Sequence, residues 1–129
     1  MNLIFKGFSA ITLGLSALTA FASPVYLITH NNTPVESNAY IAGVPSAYPT
    51  AANSSQKVYW NLVKMACYGH TTGRQCTAVI KMATNTANPI EVGEVHMDLD
   101  TGDITPKYLS RNGYTLIVNG LGEATINKG

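Results

Sequence analysis

Apolar and polar residues alternate along much of this chain with a period of two, the mark of half-buried β-strands. Val25 and Leu27 alternate with Tyr26 and Ile28 in a segment, Val25 to His30, that predicts a short first strand. Asn31-Asn32-Thr33-Pro34 follows as a turn cluster, and Asn38 to Ala42 as a second, weaker strand. From Gly43 to Gln56 the period disappears, and Pro45 and Pro49 interrupt any regular element. Connections of that length inside a small domain either carry function or cover a sheet edge. Tyr40 and Tyr48 are the aromatic side chains that a binding role would use there.

The stretch from Lys57 to Thr84 sets two apolar segments around a polar turn, with Cys67 and Cys76 at its two bases. Read as a hairpin with the cysteines opposite one another, its register places Met65 opposite Ala78, Val63 opposite Ile80, and Asn61 opposite Met82. Trp60, Leu62 and Val79 then share the other face with Lys64 and Lys81. Val58, Leu62 and Val63 also fit helical spacing, so an amphipathic helix from Gln56 to Ala66 is the alternative for the first arm. The turn between the cysteines displays His70 and Arg74, which together with Tyr48 make up a candidate recognition surface.

Further along, Ile90 and Val92 share one parity, whereas Val95, Met97 and Leu99 share the other. A strand changes phase in this way only by taking up an extra residue, which predicts a β-bulge at Gly93-Glu94. Pro106 stops the next short strand, Tyr114 to Val118 alternates again, and Asn119-Gly120 signals a hairpin. The last strand, about Leu121 to Asn127, then pairs back with Ala124 and Ile126 inward. Together these segments predict an all-β fold, a single antiparallel β-sandwich of about seven or eight strands in which successive hairpins dominate.

The N-terminal segment departs from this pattern. Lys6, an apolar run from about Phe8 to Leu18, and Ala20 and Ala22 in an A-x-A arrangement predict a secretory signal peptide over residues 1–22, leaving one domain over residues 23–129. No later segment is long and apolar enough to span a membrane. Of eight basic residues the leader takes Lys6, so seven remain against seven acidic ones and the mature net charge is zero. A neutral chain without a basic stripe is a poor partner for nucleic acid or for anionic membrane surfaces. In an exported chain the lone cysteine pair reads as a Cys67–Cys76 disulfide. Asn31-Asn32-Thr33 and Asn53-Ser54-Ser55 match the N-glycosylation pattern.

Candidate chemistry is sparse. The phase change groups Glu94, His96 and Asp98 on one polar face, a set that includes metal-ligating and acid–base types. Residues two apart on a strand lie about 7 Å apart, so a metal shell there needs a further ligand such as His30 or His70. Asp98 to Asp103 lacks the D-x-D-x-D-G order of a calcium loop. Asp100-Thr101-Gly102 resembles the aspartic protease signature, but Asp103 stands where that family has a small residue and little chain follows; a hairpin turn accounts for it better. Spacing assigns no serine to any histidine, and the cysteines are committed to each other.

Over roughly Trp60 to Ile126, the combination of Cys67-Tyr68-Gly69, Cys76-Thr77-Ala78-Val79-Ile80-Lys81, Thr101-Gly102-Asp103-Ile104-Thr105-Pro106, Asn112-Gly113-Tyr114 and Val118-Asn119-Gly120 resembles small exported proteins of intracellular gamma-proteobacteria, a group without an assigned activity. The resemblance implies a periplasmic or secreted product and carries over no catalytic residues. The expectation is therefore a non-enzymatic exported protein, monomeric and without cofactor, that binds a protein or cell-surface partner through its loops. The alternatives are a metal-dependent hydrolytic domain using Glu94, His96 and Asp98, or a structural subunit of a surface assembly.

Overall fold

In the computed structural model, which describes residues 22–129, the alternating segments form eleven strands and one short helix. The expected leader lies outside the described residues apart from Ala22. In chain order the elements are β1 (Tyr26–Asn32), β2 (Ser37–Ile41), β3 (Val44–Pro45), β4 (Ser54–Tyr59), α1 (Trp60–Cys67), β5 (Thr71–Thr72), β6 (Gln75–Met82), β7 (Ile90–Asp98), β8 (Ile104–Thr105), β9 (Tyr108–Arg111), β10 (Tyr114–Gly120) and β11 (Glu123–Lys128). No helix among the described residues is long and apolar enough to cross a membrane.

The strands build two sheets packed face to face. One has the order β4-β1-β11-β10-β9; the other runs β3-β2-β6-β7-β8, with β5 also on β6. All pairs are antiparallel except β1 with β11, which run parallel from Ile28 opposite Glu123 to Asn32 opposite Asn127. This is the expected β-sandwich with one disulfide, its strand number raised by the short pieces β3, β5 and β9 that alternation is too brief to reveal. Hairpins join β2 to β3, β5 to β6, β6 to β7, β7 to β8, β9 to β10 and β10 to β11, while β1 pairs with β4 and β11, and β2 with β6, at long range. Ala124 and Ile126 point into the core as their parity predicts.

The hairpin register between Cys67 and Cys76 does not form. The first arm splits into β4, which pairs with β1, and α1, which buries Trp60, Val63 and Cys67. The reason lies in β6: β7 takes one of its edges, and β2 and β5 share the other, so no ladder remains for residues 60–67. With backbone partners unavailable, that segment satisfies its own amides as a helix, and spacing of three and four residues brings its large side chains onto one face. The disulfide thus joins a helix C-terminus to a strand start, with Cα atoms 5.9 Å apart.

The bulge in β7 is present. Ile80 faces Gly93 and Lys81 faces Glu91, so the extra residue is Val92 rather than Glu94. Gly93 adopts φ +153°, and a Cβ there would sit 3.0 Å from Leu109 Cδ1. The strand needs glycine at this point for its backbone angle and for the close approach of β9.

A buried polar anchor holds the first half of the chain. The Asn31 side chain is fully buried; its amide donates to the carbonyls of Val35, Thr50 and Ala51, and its oxygen accepts from the Thr33 amide and hydroxyl. This one side chain pins the long connection onto β1, and it closes Asn31 to glycosylation in the folded protein. The connection also begins with a tight hairpin, because Ala42 and Gly43 take φ of 52° and 80° and turn β2 into β3.

Candidate functional site

Strands β1 and β4 send Leu27, Thr29, Gln56 and Val58 inward, and β2 sends Ser37, Ala39 and Ile41 to meet them. Between these faces lies a cavity of about 310 Å3, closed by Leu62, Val63 and Ala66 of α1 and floored by Met97, Leu116 and Ile126 among others. Small side chains create it: Ala39, Ala47, Ala66, Ala78 and Ala124 line its walls. A sandwich filled to ordinary density would carry larger residues at several of these positions. Val44 and Tyr48 line the cavity yet are 65% and 45% exposed, so they form its rim.

No Asp, Glu, Lys, Arg or His belongs to the lining. Among its polar members, the Asn38 amide donates to Ser46 O at 2.8 Å and the Gln56 amide to Pro49 O at 3.4 Å. The Ser46 hydroxyl accepts from the Tyr48 amide. The hydroxyls of Ser37 and Thr50, 2% and 4% exposed as residues, have no hydrogen-bond partner among the described residues. The cavity is therefore an apolar space with a few uncharged polar groups, the usual composition of a small-molecule site.

The candidate residues read from the sequence are distributed differently. Tyr48 stands at the cavity rim. His70 and Arg74 are exposed on the disulfide-bounded turn and are not part of the lining. Arg74 reaches across to β7, with Nη2 3.3 Å from Asp98 Oδ2 and Nε 3.9 Å from Asp100 Oδ2. Glu94 is exposed, and His96 Nδ1 pairs with the Thr77 hydroxyl on the neighbouring strand at 3.0 Å. Glu94, His96 and Asp98 share a strand without converging, and no group of three or more His, Cys, Asp or Glu that could hold a metal occurs among the described residues.

Asp98 has a structural role. Its Oδ1 accepts from the backbone amides of Asp100 and Thr101 and so shapes the turn into β8. Burial alone would raise this carboxyl's pKa, but the amides of Thr101 and Asp100, with the Arg74 guanidinium, outweigh it and hold the group below the usual carboxylate range. A lowered folded-state pKa adds stability above the unfolded value, and that stability is lost as pH falls through the folded one. Asp98→Ala is expected to cost about 1–3 kcal/mol at neutral pH. In urea unfolding the gap between variant and wild type should narrow as pH falls below the ordinary carboxylate range, as the native carboxylate becomes protonated; a gap independent of pH would contradict this role.

The structure also assembles a row that spacing did not reveal. Across β4, β1 and β11, Ser55 Oγ lies 2.7 Å from His30 Nδ1, and His30 Nε2 lies 2.6 Å from Glu123 Oε2. Hydroxyl, imidazole and carboxylate in this order are the elements of an activated nucleophile. The partners of His30 are 25 and 93 residues away in sequence, so only the β1–β4 and β1–β11 pairings bring them together. Since Leu27, Thr29, Gln56 and Val58 face the cavity, His30 and Ser55 occupy the opposite, outer face of their sheet.

Compared with known proteins, residues 1–129 match a family model described as the T2SS substrate NttC. The solved crystal structure of the Legionella pneumophila type II secretion system substrate NttC is similar, with 68% sequence identity and a TM-score of 0.81, over 83% of this chain and 100% of that one. No curated protein matches the chain.

Proposed function

We propose that this chain, which belongs to the NttC family of type II secretion system substrates, works after export by binding, not catalysis, and that its binding site is the cavity between the sheets. Family membership puts the protein on the type II route, through the periplasm and out of the cell. The disulfide suits that oxidising route. The observation that carries the proposal is the cavity itself: about 310 Å3, lined from both sheets and uncharged. A domain of this size gives up packing energy to keep such a space, and a bound apolar molecule restores it.

Titration with an uncharged apolar fluorophore such as N-phenyl-1-naphthylamine is expected to give saturable enhancement at one site per chain. Ala39→Phe, which fills the space from β2, should abolish the signal while far-ultraviolet circular dichroism stays unchanged. Enhancement that does not saturate, or that survives the filled variant, counts against the cavity as the site.

A second, hydrolytic function is favoured by the Ser55–His30–Glu123 row alone. The serine hydroxyl is separated from the cavity by the sheet, and the His30 and Glu123 side chains are 34% and 37% exposed on an open face. Hydrogen bonding between side chains of neighbouring strands accounts for the row without chemistry. p-Nitrophenyl esters of increasing chain length should therefore be cleaved no faster than by Ser55→Ala; turnover lost in that variant would make the protein an esterase.

A further inference from the structure

We infer that the occupant of this cavity is an uncharged single-chain amphiphile, an aliphatic tail of medium length ending in a hydroxyl or ester group, with its oxygen held by Ser37 and Thr50. The inference rests on the cavity being the binding site and specifies what that site accepts.

Charge is decided by the lining. No ionisable acid or base faces the space, so a carboxylate or ammonium group would enter without a counter-ion and lose its hydration. The nature of the tail follows from the walls. Their apolar members are non-aromatic apart from Tyr48, which stands at the half-exposed rim, so nothing inside offers a ring to stack on. At roughly 30 Å3 for each water-sized group, the space holds about ten heavy atoms.

The head group is placed by two hydroxyls. Ser37 and Thr50 are bonded to each other through both backbone amides, Ser37 N to Thr50 O at 2.9 Å and Thr50 N to Ser37 O at 2.8 Å. Residues directly opposite in an antiparallel pair carry their side chains on the same face. Ser37 shares its parity with Ala39 and Ile41, which pack against the core, so both hydroxyls point inward at one end of the cavity. They are buried and unpartnered among the described residues, a condition that native structures rarely leave unmet. Two hydroxyls can both donate and accept, which matches an alcohol or an ester oxygen and makes no provision for a formal charge.

The test is competition against N-phenyl-1-naphthylamine, below the aggregation concentration of each competitor, with four molecules sharing a ten-carbon tail: 1-decanol, 1-chlorodecane, decanoate at about pH 8 and decyltrimethylammonium. Decanol is expected to displace the probe at least tenfold more effectively than either ion. In the near-isosteric Ser37→Ala/Thr50→Val variant, decanol should weaken several-fold and chlorodecane should not change. Ions competing as well as decanol would overturn the inference while leaving the cavity as a binding site. An equal response of decanol and chlorodecane to the variant would overturn the assigned head-group contact. A probe that never binds removes the cavity reading itself, so the two failures are distinguishable. If the double variant does not fold, the wild-type ranking of neutral against charged competitors decides alone.

Discussion

Trp60→Ala is expected to lower the free energy of unfolding by about 3–5 kcal/mol, the range for deleting a large aromatic from a packed core. Trp60 is 2% exposed and is the first residue of α1, where the chain leaves β4 for the helix. Its indole N–H donates to Leu99 O at 2.9 Å, tying α1 to the segment that follows β7. Truncation therefore leaves both a void and a carbonyl without its donor. A domain of ordinary stability has about 5–15 kcal/mol in all, so the variant should be marginal at physiological temperature. Trp60 is the chain's single tryptophan, so circular dichroism in urea is the suitable readout. Trp60→Phe keeps most of the volume and loses the hydrogen bond, for which about 1 kcal/mol is expected beyond the packing loss. A cost below about 1 kcal/mol for the alanine variant would mean that α1 is not anchored by this side chain.

Removing the disulfide ranks second. Cys67 and Cys76 are nine residues apart in sequence and both 0% exposed. Closing a loop of about ten residues stabilises by about 2.7 kcal/mol in the chain-entropy model. The Cys67→Ala/Cys76→Ala double variant is expected to lose about that amount. Alanine is the better replacement because serine would bury two hydroxyls where nothing is positioned to meet them. Burial adds a kinetic expectation: reductant should leave the native protein oxidised and act only once urea has opened it. Rapid reduction under native conditions, followed by mass spectrometry of the alkylated thiols, would contradict the buried setting of the bond.

Both effects trace to the segment where periodicity was least decisive. Val58, Leu62 and Val63 suit a strand and a helix equally, and the two cysteines are compatible with a hairpin or with a helix joined to a strand. The choice between them was made by β6, whose edges are already occupied by β2, β5 and β7. Edge occupancy is a property of the assembled sheet and leaves no mark on residues 57–67. The bulge in β7 is the opposite case. Its phase change is written locally in Ile90, Val92 and Val95, so it was legible to within about one residue.

The chain by itself determined which side of β6, β7, β10 and β11 is buried, because a period of two requires only neighbouring residues. It determined the disulfide through cysteine number and compartment, and the turns through asparagine, glycine and proline. Tertiary structure decided the rest. The parallel pairing of β1 with β11 joins the two ends of the domain, and only that pairing places His30 beside Glu123. The cavity depends on how far apart two sheets stand, so no single segment encodes it: alanines at 39, 47, 66, 78 and 124 read as ordinary small residues until they face one another across the same space. Ser37 at the start of β2 and Thr50 in the connection between β3 and β4 stand at ordinary positions for polar residues. Burial gives their hydroxyls chemical meaning, and burial is a property of the whole fold.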